Sequence, residues 1–206
     1  MSTSRILYDI PSTVSNKAWS PNVWKARYVL NYKGLPYRTE WVDSPTSKPS
    51  DGVAPHYTLP LLHDHSTGAS VSESAAIARY LDKTYPETPV VIPAGTNAEE
   101  YFRRTREANT LGGKKLEDTI LKGEERVREW AKLKTVFGKI DAWYGKGDMY
   151  VMEDIVSYAN FMISAYPVWF RILYGADSEE WEDILTRDEG RWGVLVKDFQ
   201  KYETVV

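Results

Sequence analysis

Short alternating runs occupy the first third of the chain, and helical spacing occupies most of the remainder. Arg5 to Ile10 is apolar-rich and ends at Pro11-Ser12-Thr13, which predicts a first strand. Val23, Ala26, Arg27 and Leu30 then fall at i, i+3, i+4 and i+7, the spacing of one helix face. This helix is expected from about Asn22 to Tyr32, with Gly34 placed to take the left-handed position beyond its end. Tyr37 to Val42 alternates and is rich in β-formers, so it reads as a second strand. A strand, a helix and a strand with short links predict a right-handed parallel crossover. Residues 44–55 are rich in Pro, Ser, Asp and Gly and read as loop.

Leu59 to His63 and Ala69 to Val71 flank Ser66-Thr67-Gly68, the pattern of a β-hairpin, with Pro60 opening its first strand. Ser72-Glu73-Ser74 leads into a helix over Ala75–Lys83, which Pro86 and Pro89 end. From about Ala98 the helical period dominates: helices are expected over Ala98–Ala108, Lys114–Leu121, Glu124–Tyr144, Ser157–Tyr174, Ser178–Thr186 and Gly190–Tyr202. Within the fourth, Ser157 is placed as an N-cap with Asn160 as its reciprocal partner, and Pro167 is expected to kink the middle. The predicted architecture is an α/β domain over 1–85, a linker over 86–97 and an all-α domain over 98–206.

Composition narrows the chemistry. The 206 residues carry a formal charge of −3, so no basic field draws the chain to nucleic acid or an anionic membrane. No apolar run approaches a transmembrane span and the N-terminus lacks a signal-peptide core, so a cytoplasmic protein is expected. There are no cysteines, which excludes disulfides, thiolate metal sites and a thioredoxin-type exchange; any thiol chemistry must use a thiol brought by a ligand. His63 and His65, two apart, are read as a solvated strand end rather than a metal pair, and no metal is expected. The charged cluster at Arg103, Arg104 and Arg106 is read as a solvated helix face.

Three short stretches offer candidate chemistry. Ser20-Pro21 opens the first helix: Ser is a good N-cap and Pro suits the first helical position. A hydroxyl and the Asn22 amide therefore lie at a helix N-terminus, where free N–H groups favour an anion; a plain helix start explains the same residues. Leu59-Pro60 precedes the hairpin, and Glu73-Ser74 opens the second helix. A helix N-terminus with a hydroxyl suits a carboxylate, and Glu73 can pair with an ammonium.

The order of elements with Ser20-Pro21, Thr58-Leu59-Pro60-Leu61 and Glu73-Ser74-Ala75-Ala76-Ile77 resembles the glutathione transferase superfamily over essentially the whole chain. The words around Trp19–Arg27 and Ala98–Glu107 look most like its fungal FuA class, relatives of the bacterial β-etherases. The resemblance implies a thioredoxin-like N-terminal domain followed by a helical domain, glutathione as co-substrate, and a homodimer. It also implies a cis bond before Pro60, aiming the Leu59 backbone at the cysteinyl part of glutathione. Glu73 and Ser74 match the positions that bind the γ-glutamyl end. Ser20 matches the serine of serine-type enzymes, donating to the sulfur and favouring the thiolate, with Asn22 as a second donor. Trp24, Lys25 and His56 are further candidates for holding glutathione.

Lowering a thiol pKa by about two units from about 8.5 needs roughly 2.7 kcal/mol. One hydroxyl bond to a charged group supplies about 1.5–3 kcal/mol, so the magnitude is feasible. The expected function is thiolate attack on an electrophilic or peroxidic, aromatic compound. The rival is a ligandin that binds aromatic molecules with little turnover, using Tyr166, Trp169, Phe170 and Tyr174. One departure from the family pattern is plain: Asn97 runs into Ala98 where a further helix of the usual helical hairpin is expected. A natural short form and an absent segment both fit.

Overall fold

The computed structural model describes residues 4–13, 17–42, 59–93 and 122–206. His56, the helices expected over Ala98–Ala108 and Lys114–Leu121, the arginine cluster and the Asn97–Ala98 junction lie outside the described residues. Among those described, the chain forms four strands and six α-helices. In order these are β1 (Arg5–Asp9), α1 (Pro21–Tyr32), β2 (Arg38–Trp41), β3 (Leu61–Asp64), β4 (Ala69–Ser72), α2 (Ser74–Thr84), α3 (Gly123–Asp141), α4 (Tyr158–Tyr174), α5 (Glu179–Thr186) and α6 (Arg191–Phe199).

The sheet runs β2-β1-β3-β4. β1 pairs in parallel with β2, Ile6 opposite Arg38 and Asp9 opposite Trp41, as the crossover predicts. β3 lies antiparallel to β1, and the β3–β4 hairpin sets Leu61 opposite Ser72. This is the mixed sheet of a thioredoxin-like domain, followed by helices, the fold class read from the sequence.

Helix α1 is the centre of the packing. Every residue from Val23 to Leu30 is buried, so the one-face reading was too narrow. The helix has neighbours beyond the sheet: α2 and α4 also pack on it. Its end is closed by Gly34 at φ +65°, with Leu35 N–H donating to Leu30 O and Gly34 N–H to Asn31 O, which satisfies two otherwise free carbonyls. The charge of buried Arg27 is met by Asp9 at 2.8 Å, with Tyr37 and Thr39 hydroxyls also on the guanidinium. An aromatic cluster of Tyr28, Tyr32, Phe161, Phe199 and Tyr202 joins α1 to α4 and the end of α6.

The chain divides into two compact units, Met1–Pro93 with Val156–Val206, and Ala94–Ile155. The first unit joins the sheet with α4, α5 and α6, elements that the sequence assigned to a separate helical domain. Helix α4 begins at Tyr158, where Asn160 Oδ1 accepts from both the Ser157 N–H and its hydroxyl at 3.1 Å, and it runs on through Pro167. Ser178 caps α5 by accepting from the Trp181 N–H at 3.1 Å. Within the second unit, α3 buries Phe137 and exposes Val127 and Val136.

Candidate functional site

At the start of α1, Ser20 has extended backbone (φ −66°, ψ 120°) and its carbonyl accepts the first helical bond, from the Trp24 N–H at 3.0 Å. Its hydroxyl makes no capping bond. Pro21 has no N–H, so Asn22 and Val23 supply the N–H groups that lack intrahelical partners here. The half-buried hydroxyl and this helix end can therefore serve an anion together.

Asn22 is exposed, and its Oδ1 accepts from Lys25 Nζ at 3.0 Å. Lys25 is only 5% exposed, and its ammonium lies 5.0 Å from the centroid of the Tyr166 ring, on α4. Burial pulls its pKa down to about 8. Trp24 belongs to the core: it is 2% exposed, its indole N–H donates to Ala18 O, and its ring packs on Tyr28 and under the Arg27 guanidinium. Its one polar side-chain atom is thus committed to the Ala18 carbonyl, and the ring lies in the core beneath the start of α1.

The other two stretches meet directly. The Leu59–Pro60 bond is cis, and Pro60 O accepts the Glu73 N–H at 3.1 Å, joining the turn before β3 to the start of α2. Glu73 holds φ +79° and ψ 124°, a conformation that a residue with a Cβ rarely adopts; such backbone costs about 1–3 kcal/mol and clusters at functional sites. Two bonds fix it, the one to Pro60 and that from the Ile77 N–H to its own carbonyl at 2.8 Å. Ser74, the first residue of α2, is buried and accepts from the Tyr158 hydroxyl at 2.8 Å. Nothing in the local pattern around Tyr158 announces this contact, because the partners are 84 positions apart.

His63 and His65 stack edge-on at 4.4 Å, with His63 Nδ1 against the Ser70 hydroxyl, at the solvated strand end. No cluster of three or more metal-ligating side chains occurs among the described residues. On α4, Phe170 is buried and stacks with Tyr174, while Tyr166 and Tyr174 are partly open to solvent. None of the described helices is long and apolar enough to cross a membrane.

Comparison with known proteins places the chain in a family. The family model described as glutathione S-transferase, N-terminal domain, matches residues 19–84, and that of the C-terminal domain matches residues 70–202. The glutathione S-transferase-like protein ustS of Aspergillus flavus is 30% identical, over 91% of this chain and 87% of its own length. That alignment runs over 244 positions, more than the 206 residues here, so it opens gaps in this chain. A solved glutathione S-transferase of Ceriporiopsis subvermispora, CsGST63524, in complex with glutathione, is 41% identical with a TM-score of 0.83, covering 98% of this chain and 99% of that one. GSTFuA3 of Phanerochaete chrysosporium is 36% identical with a TM-score of 0.78, over 98% of each chain. The chain therefore belongs to the glutathione S-transferase family, and within it to the FuA-like group.

Proposed function

We propose that this protein is a serine-type glutathione transferase, in which the Ser20 hydroxyl and the Asn22 amide stabilise the thiolate of bound glutathione. The observation that carries this reading is the Ser20 hydroxyl at the N-terminus of α1, which makes no capping bond there, in a chain without a thiol of its own. The hydroxyl donates to sulfur, the adjoining helix end favours its negative charge, and the thiolate attacks an electrophilic or peroxidic aromatic compound. The Leu59 backbone and Pro60 position the tripeptide, while Ser74 and the α2 N-terminus receive the γ-glutamyl carboxylate and Glu73 its ammonium. The glutathione complex of the Ceriporiopsis relative supports glutathione as the co-substrate. Cytoplasmic residence and a homodimer complete the proposal.

A ligandin role is the second reading, favoured by the partly exposed aromatic face of Tyr166 and Tyr174 on α4. Turnover of glutathione with an activated aryl chloride separates the two. Catalysis predicts turnover that falls steeply in Ser20→Ala; a ligandin predicts negligible turnover with a melting temperature raised by aromatic ligands.

A further inference from the structure

Among the described residues of the first compact unit, Lys25 and Lys33 are almost wholly buried, and they are treated differently. Lys33 is ion-paired with Asp82 at 2.7 Å and also donates to Pro89 O, the ordinary way to keep an ammonium inside. Lys25 has no carboxylate among its described contacts: it donates to Asn22 Oδ1 at 3.0 Å and faces the Tyr166 ring at 5.0 Å. A buried charge held by one amide and one aromatic face is costly, so its placement asks for a reason.

The chemistry of the amide supplies one. An ammonium has three donors and no acceptor, so the Asn22 side chain must turn Oδ1 toward it. The other end of the amide, Nδ2 with its two N–H donors, is then directed away from Lys25. Asn22 lies in the first turn of α1, two residues from Ser20, on the exposed side. A thiolate needs donors; an amide turned the other way presents lone pairs and repels it. We propose that Lys25, held over Tyr166, is a positioning residue that fixes the Asn22 amide with its NH2 group toward the glutathione sulfur. This rests on the reading of Asn22 as a donor to that sulfur. It replaces the expectation that Lys25 grips glutathione itself, since its ammonium is enclosed.

The test compares Lys25→Met, Lys25→Arg, Tyr166→Leu and Asn22→Ala in the full chain. The readouts are kcat and KM for glutathione with an activated aryl chloride, and ultraviolet titration of the bound thiolate. Loss of one donor to a charged sulfur is expected to lower kcat about tenfold in Lys25→Met and to raise the thiolate pKa, with KM for glutathione within about twofold. Lys25→Arg, also a pure donor, restores most of the rate. Tyr166→Leu shifts the same readouts in the same direction by less. Adding Lys25→Met to Asn22→Ala costs nothing further, because no amide remains to orient.

A raised KM with an unmoved thiolate titration in Lys25→Met would overturn the proposal in favour of direct contact with the tripeptide. A further tenfold loss on top of Asn22→Ala would also overturn it, as independent action. If Asn22→Ala alone leaves rate and titration unchanged, the reading of Asn22 itself is wrong and the positioning role falls with it.

Discussion

The hydroxyl of Tyr158 donates to Ser74 Oγ at 2.8 Å, tying the first turn of α4 to the first turn of α2. Both residues are buried, and burial holds the Tyr158 phenol pKa well above its usual value, so it remains a donor at every working pH. Ser74 accepts there and keeps its own proton for a ligand carboxylate. Tyr158→Phe should therefore cost about 1–2 kcal/mol of stability and raise KM for glutathione severalfold, with a smaller change in kcat. Urea unfolding and steady-state kinetics read the two effects. An unchanged KM would mean that Ser74 does not bind the γ-glutamyl end.

Lys25 should make the protein less stable than it need be. Its folded pKa is about 8 against an ordinary 10.5, so between those values the unfolded chain binds a proton that the folded chain has lost. Stability then rises with pH through that window, and the full cost is present below it. Lys25→Met removes the cost and should be more stable than wild type at about pH 7, by roughly 1–3 kcal/mol, with the gap closing toward about pH 10. Denaturant melts of both proteins at the two pH values measure it. A less stable Lys25→Met at neutral pH contradicts the prediction.

Asp9 and Arg27 form a buried pair in which desolvation outweighs attraction: burial raises the Asp9 carboxyl above its usual pKa despite the Arg27 charge and the bonds from Arg27 and the Ile10 N–H. Asp9→Asn strands the guanidinium and should cost about 3–5 kcal/mol. Replacing both, as Asp9→Leu with Arg27→Met, should cost less than the single change, since no charge is left behind. Thermal unfolding of the three proteins decides it.

Glu73 stores backbone strain where the γ-glutamyl ammonium is proposed to bind. Glu73→Gly should melt higher without ligand, by up to about 1 kcal/mol, yet lose glutathione affinity about tenfold or more. Glu73→Gln should lose affinity with no such gain. Calorimetric titration with glutathione, beside melting curves, separates strain from charge.

What the chain reveals before folding is what local chemistry encodes. Ser20-Pro21, Leu59-Pro60 and Glu73-Ser74 are visible because caps, prolines and helix starts are written in adjacent residues. The parallel β1–β2 pair and the β3–β4 hairpin follow from alternation and short links in the same way. Contacts between distant segments leave no such trace. Tyr158 on Ser74 and Tyr166 on Lys25 join residues more than 80 positions apart, and no period in either segment names its partner. The burial of Trp24 is hidden for a related reason. A tryptophan off the predicted apolar face of α1 reads as available, until α2 and α4 also pack on the helix and bury every residue from Val23 to Leu30.

If Ser20 makes the bound thiol acidic, direct titration of glutathione on the enzyme shows it. Thiolate absorbance against pH should give wild type a thiol pKa about two units below the free value of about 8.5. In Ser20→Ala it should return most of the way toward the free value, while glutathione still binds. A Ser20→Ala protein that binds glutathione and keeps the wild-type thiolate pKa would show that Ser20 does not activate the thiol.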